Sequence, residues 1–203
     1  MSWIETIPFE KASGRLRAIY QRLKPPNDPL DQVLQAHSLR PHTLEGHMAP
    51  YKNVLHHSGN RLPKWILEAL GIYVSLLNGC AYCVEHHFAG LQKLLGEAVS
   101  AGDLRRLLER DEFAGLARFD PRLEAICAYA RRLTQSPGEM NEPDLARLRA
   151  AGLDDGEILE VNQVTSYFAY ANRTVLGLGV TTKGDVLGLS PNDSNDPENW
   201  RHA

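Results

Sequence analysis

The sequence has no surplus of basic residues. Its 203 residues include 22 Lys and Arg against 25 Asp and Glu, which leaves a formal net charge of −3. Proteins that bind nucleic acids or anionic membranes carry a basic surplus or a basic stripe. The charge balance therefore argues against both kinds of partner.

No apolar stretch is long enough to cross a bilayer. The longest, residues 66–77, is interrupted by Glu68 and ends at Asn78-Gly79, whereas a membrane helix needs about 20 apolar residues. The first residues, MSWIETIPFEK, also lack the basic and then apolar regions of a signal peptide. We therefore expect a cytoplasmic protein that does not bind membranes, with thiols that stay reduced unless they are catalytic or bind a metal.

Alternation of apolar and polar residues, the pattern typical of strands, is not found either. Helical periodicity, interrupted by Pro and Gly, predicts helices over residues 10–23, 30–39, 41–57, 64–77, 80–95, 97–109, 120–135, 141–151 and 156–176. We expect one all-α domain at residues 1–182, with N-terminal helices up to about residue 60 and the core at 61–182. The tail at 183–203, rich in Asp, Asn, Pro and Ser, is expected to be irregular, with Trp200 as an anchor.

Two of the three cysteines lie close together in the segment NGCAYCVEHH, residues 78–87. If a helix begins at residues 78–79, Cys80 and Cys83 fall in its first turn, where unpaired amides and the helix dipole stabilise a thiolate. Residues three and four apart share a face, so Cys80, Cys83 and His87 form one stripe. The spacing also favours a reversible disulfide between the two sulfurs.

Glu68 is the one charged residue within ILEALGIYVSLL, residues 66–77. A buried carboxylate without a partner is costly, so we expect it to have one. If this helix packs beside the cysteine helix, Glu68 is placed to orient His87 and complete a Glu–His–Cys relay. Gly71, one turn later, leaves room for another helix to approach.

A zinc site is the alternative interpretation of the same residues. Cys80 and Cys83 offer two ligands, and His86 with His87, or His56 with His57, offer two more. Four ligands within eight residues of one helix cannot all surround one ion tetrahedrally, so we favour redox chemistry and expect no metal. A zinc-stabilised interaction protein remains the alternative from a different class.

Two further polar or reactive positions lie in apolar surroundings. Cys127, in EAICAYA, lies on an apolar stripe and is expected to belong to the core. Asn172-Arg173 interrupts an otherwise apolar final helix and is expected to form buried hydrogen bonds or a subunit contact.

The arrangement Glu68–x11–Cys80–x2–Cys83–x3–His87 resembles the active-site signature of the alkyl hydroperoxidase D (AhpD)-like, carboxymuconolactone decarboxylase-like superfamily. NGCAYCVEHH is most similar to its peroxidase-related branch. Residues 122–179 are similar in layout to the later helices of that family, and the first sixty residues match it loosely. The resemblance implies an AhpD-like helical fold, without a bound cofactor, that assembles into homo-oligomers, often trimers or hexamers.

The resemblance also implies thiol-dependent peroxidase activity towards alkyl hydroperoxides, an antioxidant function. Cys83 matches the residue that attacks the peroxide, and Cys80 the residue that donates a proton and resolves the product as a disulfide. Glu68 and His87 match the proton relay, and a dithiol reductant such as a lipoyl-bearing protein restores the thiols.

One position between the cysteines departs from the family pattern. Some family members carry a further His there, where this chain has Tyr82, so the relay is expected to differ. Tyr82 and His86 are expected to lie next to the catalytic residues and to support them without reacting themselves. A general dithiol–disulfide oxidoreductase with the same sulfur chemistry is the alternative within the enzyme class.

Overall fold

A computed structural model describes residues 2–24, 28–96, 100–189 and 200–201. The described residues form α-helices joined by short 3-10 turns and loops, and no strand occurs among them. All-α architecture is thus confirmed. The helices are α1 (Gly14–Leu23), α2 (Gln32–Ala36), α3 (Pro41–Leu55), α4 (Lys64–Leu77), α5 (Ala81–Leu95), α6 (Ala101–Glu109), α7 (Leu123–Gln135), α8 (Glu142–Ala150) and α9 (Asp155–Leu178).

Helix α4 is the centre of the fold. Every residue from Ile66 to Ser75 is buried, including Glu68, because α4 packs against α5, α7 and α9. A Cβ at Gly71 would overlap the ring of Phe168 on α9, so the glycine is what lets these two helices approach. The apolar residues from Ile66 to Val74 are therefore buried inside the chain, and the cysteine helix α5 lies directly beside Glu68.

Helix α9 is only partly covered by the rest of the chain. Its start is fixed by a capping box, in which Asp154 and Glu157 bond each other's backbone N–H groups. Leu159, Tyr170 and Leu176 are more than 40% exposed along its length. These exposed side chains give α9 apolar surface for the subunit contacts expected from the sequence.

The N-terminal helices form a second, smaller apolar cluster with the end of the chain. Residues of α1 and α3 pack together with Leu30, Leu34 and Trp200, and the guanidinium of Arg22 lies 3.9 Å from the centre of the Trp200 ring. Val33 and Tyr51 contact both this cluster and the main core. These two residues thus connect the two apolar clusters.

Several predicted helix ends were wrong. The first helix begins at Gly14 rather than at residue 10, because Phe9–Lys11 forms a separate 3-10 turn. The second covers Gln32–Ala36 and not 30–39. In α6, the Ser100 side chain accepts from the Asp103 N–H and caps a helix that starts at Ala101; residues 97–99 of the predicted helix lie outside the described residues.

Two predicted ends near the later helices were also wrong. Helix α7 starts at Leu123, after the turn that begins with Asp120-Pro121, and not at residue 120. Helix α9 continues to Leu178 and ends where Gly179 adopts a left-handed conformation (φ 61°). Within the described ranges, no helix is both long and apolar enough to cross a membrane.

Residues 180–189, here termed the C-terminal segment, run across α5 without regular structure. Gly188 has a φ of 77°, and a Cβ there would lie 2.9 Å from Cβ of Ala89. Lys93 Nζ donates to the Gly188 carbonyl at 2.9 Å. The segment therefore lies tightly on α5, next to the cysteine turn. Residues 190–199 and 202–203 of the predicted tail lie outside the described residues.

Candidate functional site

The cysteine pair lies at the first turn of α5. Cys80 is the N-cap residue and Cys83 belongs to the first turn. Their sulfur atoms are 3.3 Å apart, and both residues are buried as free thiols. The predicted juxtaposition of the two sulfurs at a helix start is therefore present.

The pKa values of the two thiols are shifted in opposite directions. Hydrogen bonds from the Cys83 thiol and from the backbone N–H groups of Cys83 and Tyr82 lower the pKa of Cys80. The same contact with Cys80, together with burial, raises the pKa of Cys83 well above its usual value. Cys80 is thus the sulfur that ionises first, as expected for an N-cap position.

A buried amide on α9 supports both sulfurs. Asn172 is fully buried, and its Nδ2 donates to Ser75 Oγ at 3.0 Å. Its Oδ1 accepts from Asn78 Nδ2, also at 3.0 Å. Hydrogen bonding by Asn172 adds to the lowering of the Cys80 pKa, which comes mainly from Cys83, and partly opposes the rise in the Cys83 pKa, which comes mainly from Cys80 and burial. The sequence pointed to a buried hydrogen-bonding role for Asn172, but its position at the thiols was missed.

Glu68 and His87 form a direct pair between α4 and α5. His87 Nδ1 lies 2.6 Å from Glu68 Oε2, and since a carboxylate only accepts, Nδ1 carries the proton that is donated. Glu68 is 3% exposed. The Phe168 ring lies edge-on to the imidazole, with centroids 4.6 Å apart. The predicted partner of the buried carboxylate is therefore His87, and its ring is held in one orientation.

Cys83 and His87 line a common pocket, and Cys80 lies behind Cys83. The cavity has a volume of about 40 Å³. Tyr51 and Tyr167 form part of its wall as a stacked pair, with ring centroids 5.7 Å apart, and burial raises the pKa of both phenols well above the usual value. The pocket wall therefore combines aromatic rings with one thiol, that of Cys83, and with polar groups that include the His87 imidazole and the Asp31 carboxyl.

Tyr82 and His86 contact a different set of residues from the Glu68–His87 pair. The Tyr82 hydroxyl donates to Asp185 Oδ2 at 2.7 Å, and His86 Nε2 lies 3.2 Å from the same oxygen. The Tyr82 and His86 rings stack with centroids 4.5 Å apart. Both residues therefore contact the C-terminal segment through Asp185, and their supporting role at the cysteines stays a prediction.

Asp31 lies beside this group and was missed by the sequence analysis. Burial raises the pKa of the Asp31 carboxyl to about 7, with His86 lowering it and Asp185 raising it further. Asp31, His86 and Asp185 are the one group of three metal-ligand side chains that lie close together in the described part of the chain. The cysteines and the other histidines form no such group there, which argues against the zinc site considered from the sequence.

The third cysteine and the upstream histidines lie elsewhere. Cys127 lies in the core on α7, and burial raises its pKa to about 12. His56 follows the end of α3 and lines a separate surface pocket with His57. Cys127 therefore takes no part in the site.

Comparison with known proteins gives relatives at the level of structure. No family model and no curated protein matches the chain. An uncharacterized peroxidase-related protein with an alkylhydroperoxidase AhpD core, from Ralstonia eutropha JMP134, has a TM-score of 0.73 at 20% identity, over 89% of this chain and 92% of that one. Another peroxidase-related protein, from Silicibacter sp. TM1040, has a TM-score of 0.65 at 25% identity, over 75% of this chain and 78% of that one.

The same architecture also occurs in a protein described by a different reaction. A debrominase, solved in complex with a tribromopyrrole, has a TM-score of 0.61 at 15% identity, over 83% of each chain. At these identities the likeness concerns the fold and leaves the reaction open. The chain has the AhpD-like fold of the peroxidase-related proteins, which confirms the resemblance that the cysteine motif indicated.

Proposed function

We propose that the protein is a thiol-dependent peroxidase that reduces hydroperoxides with Cys80 and Cys83. The observation that carries this proposal is the pair of sulfurs, 3.3 Å apart at a helix start, with Cys83 and His87 facing one pocket. The pair is free to cycle between dithiol and disulfide, since both cysteines are unbridged. Peroxidase-related structural relatives are consistent with this chemistry.

The reaction assigns different tasks to the two sulfurs. Cys83 lines the pocket and Cys80 does not, so Cys83 is the sulfur that meets the peroxide. Its proton passes to the Cys80 thiolate across their direct contact, and the Cys83 thiolate then attacks one peroxide oxygen. The O–O bond breaks, Cys83 becomes a sulfenic acid, and the alcohol leaves with a proton.

The second half of the reaction forms the disulfide. Cys80 attacks the sulfur of the Cys83 sulfenic acid, the S–S bond forms, and the hydroxyl group leaves as water. Two electrons have then passed from the cysteine pair to the peroxide. A dithiol reductant, such as a lipoyl group, returns them by thiol–disulfide exchange.

The Glu68–His87 pair supplies the proton for the leaving alkoxide. His87 faces the pocket and takes up the proton that Cys80 releases when it ionises, and the hydrogen bond to Glu68 stabilises the resulting imidazolium until it gives this proton to the alkoxide. Proton transfer of this kind typically contributes about 10²–10⁴-fold to a rate. Tyr82, which occupies the position of the further family histidine, is bonded to Asp185, so in this proposal it has no part in the relay.

Pocket volume bears on the substrate. Each buried water needs about 10–15 Å³, so the cavity of about 40 Å³ has room for a molecule the size of hydrogen peroxide. A longer alkyl hydroperoxide requires side chains or the C-terminal segment, which contributes Leu189 to the wall, to move aside. We therefore expect activity to fall as the alkyl group grows.

A general dithiol–disulfide oxidoreductase is the second candidate, because the same sulfur geometry serves both. The small pocket favours the peroxidase, since a cavity of about 40 Å³ suits a small peroxide better than a segment of another protein. In both cases we expect a homo-oligomer in the cytoplasm, where dithiol reductants are available.

The test is steady-state peroxide consumption with a panel of dithiol reductants, including dihydrolipoamide. The substrates are hydrogen peroxide, tert-butyl hydroperoxide, cumene hydroperoxide, a model protein disulfide and a brominated pyrrole, the last because of the debrominase with this fold. Wild type should turn over hydrogen peroxide fastest, Cys83→Ser should be inactive, and Cys127→Ala should match wild type.

The same panel separates the alternatives. Faster reduction of the protein disulfide than of any peroxide would favour the exchanger. Full activity in Cys83→Ser would contradict the assignment of the attacking sulfur.

A further inference from the structure

A second polar cluster lies near the Glu68–His87 pair, and two of its members, Asp31 and His86, line the same pocket as His87. Asp31 precedes α2, His86 is on α5, and Asp185 is in the C-terminal segment. Three separate parts of the chain thus converge, and one potential ligand atom of each lies within 4.8 Å of the others. This convergence is independent of the cysteine chemistry.

Hydrogen bonds within the cluster are unevenly distributed. Asp185 has a fully buried side chain and accepts from the Gln32 N–H, from the Tyr82 hydroxyl and from His86. Asp31 is 7% exposed, and its Oδ1 has no hydrogen-bond partner among the described residues. A buried carboxylate oxygen without a partner is costly unless the carboxyl is protonated or something binds it.

The charges are also unbalanced. Two carboxylates share this buried region with one imidazole, which compensates at most one negative charge. His86 and Asp185 are the charged groups that act on Asp31. A cation that bound both carboxylates and the imidazole would remove the repulsion between Asp31 and Asp185 and would satisfy the free Oδ1.

The spacing fits a small divalent ion. Ligand atoms about 2.1 Å from a tetrahedral metal lie roughly 3.4 Å from one another. His86 Nε2 and Asp185 Oδ2 are 3.2 Å apart already, and the ligand atom of Asp31 lies within 4.8 Å of the other two ligand atoms. Asp31 and His86 also line the pocket, which can supply water as a further ligand.

We propose that Asp31, His86 and Asp185 form a binding site for a divalent transition-metal ion such as Zn²⁺ or Mn²⁺. One imidazole and two carboxylates are ligands suited to these ions. The bound ion joins the C-terminal segment to α2 and α5, and so fixes the segment that covers the pocket containing Cys83. The site is distinct from the cysteine pair and stands whether or not the protein is a peroxidase.

The experiment measures metal binding by the full chain after it has been stripped with a chelator. Equilibrium dialysis against Zn²⁺ or Mn²⁺, followed by elemental analysis, gives the number bound per chain. Because thiolates also bind Zn²⁺, the measurement is repeated in a Cys80→Ser, Cys83→Ser background. We expect one ion per chain in both backgrounds.

Two ligand variants and one control locate the ion. Asp31→Asn and Asp185→Asn should each weaken binding by at least about 100-fold, since loss of an outer-sphere partner alone costs about 10–100-fold. Asp155→Asn makes the same charge change at an exposed aspartate on α9 and should bind as wild type. Metal should raise the unfolding temperature of wild type and of Asp155→Asn, and should slow amide hydrogen exchange at residues 181–189.

Folding of the variants is checked without metal. Stripped Asp31→Asn should unfold at the same temperature as stripped wild type or higher, since it loses an uncompensated buried charge. Three results would overturn the proposal. One is that the protein with both Cys80→Ser and Cys83→Ser binds no metal, and another is that the Asn variants bind metal as tightly as wild type. The third is a thiolate-to-metal absorption band with Co²⁺ that disappears when both cysteines are replaced.

Discussion

Replacing Glu68 by Gln asks whether the buried carboxylate moves a proton or only fills the interior. The change keeps the shape of the side chain, and the Gln oxygen can still accept from His87 Nδ1, which lies 2.6 Å from the carboxylate in wild type. What is lost is the negative charge that stabilises a protonated imidazole. The substitution thus separates charge from packing at a position that is 3% exposed.

The expected cost in stability is small. A hydrogen bond to a charged group contributes about 1.5–3 kcal/mol and a neutral one about 0.5–1.5 kcal/mol, so the difference is about 1 kcal/mol. For a chain of this length that corresponds to a fall of about 2–4 °C in Tm. Because domains are typically stable by about 5–15 kcal/mol, nearly all chains remain folded.

The expected cost in rate is much larger. Loss of a proton-transfer step lowers the rate by about 10²–10⁴-fold, which is about 3–5 kcal/mol of barrier at 1.36 kcal/mol per decade. His87→Gln should have an effect of similar size. The double variant should be little worse than the worse single one, because residues that act as a unit are not additive.

The assay is single-turnover oxidation of the cysteine pair by hydrogen peroxide, followed by mass spectrometry or by a sulfenic-acid probe. Glu109→Gln, a partly exposed glutamate that pairs with Arg105 on the same helix, is the matched control and should stay within about twofold of wild type. Wild-type rates in Glu68→Gln, or strictly additive losses in the double variant, would refute the relay and leave the carboxylate a structural role.

Peroxide treatment should link Cys80 to Cys83 and leave Cys127 reduced, because the first two sulfurs are 3.3 Å apart and the third is in the core. Peptide mass mapping checks this. Over-oxidation of Cys80 and Cys83 without a disulfide between them would exclude the resolving role of Cys80. Gly71→Ala should lower the free energy of unfolding by about 1–3 kcal/mol, since its methyl group would overlap an aromatic ring of α9. Gly177→Ala, which faces open space, should instead be neutral or stabilise by up to ~1 kcal/mol in the same denaturant titration. Light scattering should find a homo-oligomer at roughly 10 µM, and a monomer at that concentration would contradict the expected subunit contacts.

Features that depend on local spacing could be predicted from the sequence. The stripe of Cys80, Cys83 and His87 follows from the helical repeat and needs no knowledge of the rest of the fold. Glu68 could be assigned a partner in advance, because one carboxylate in an apolar helix must be compensated. The all-α class followed in the same way from periodicity along the chain.

Helix ends were less predictable, for a physical reason visible at the N-terminus. Residues 10–13 have the composition of a helix, yet Arg17 Nη1 donates to the Phe9 carbonyl and its guanidinium stacks on the Phe9 ring. These contacts accompany a separate turn at Phe9–Lys11. Tertiary contacts of this kind outweigh the small propensity differences on which sequence-based boundaries depend.

Only the tertiary structure brought together the residues far apart in the sequence. Asn172 meets the cysteine turn because Gly71 lets α9 lie against α4. Asp31 and Asp185 meet His86 because an irregular C-terminal segment packs on α5. Such contacts have no period and no fixed spacing, since loops are placed by the packing of other elements, and a sequence pattern therefore carries no signal for them.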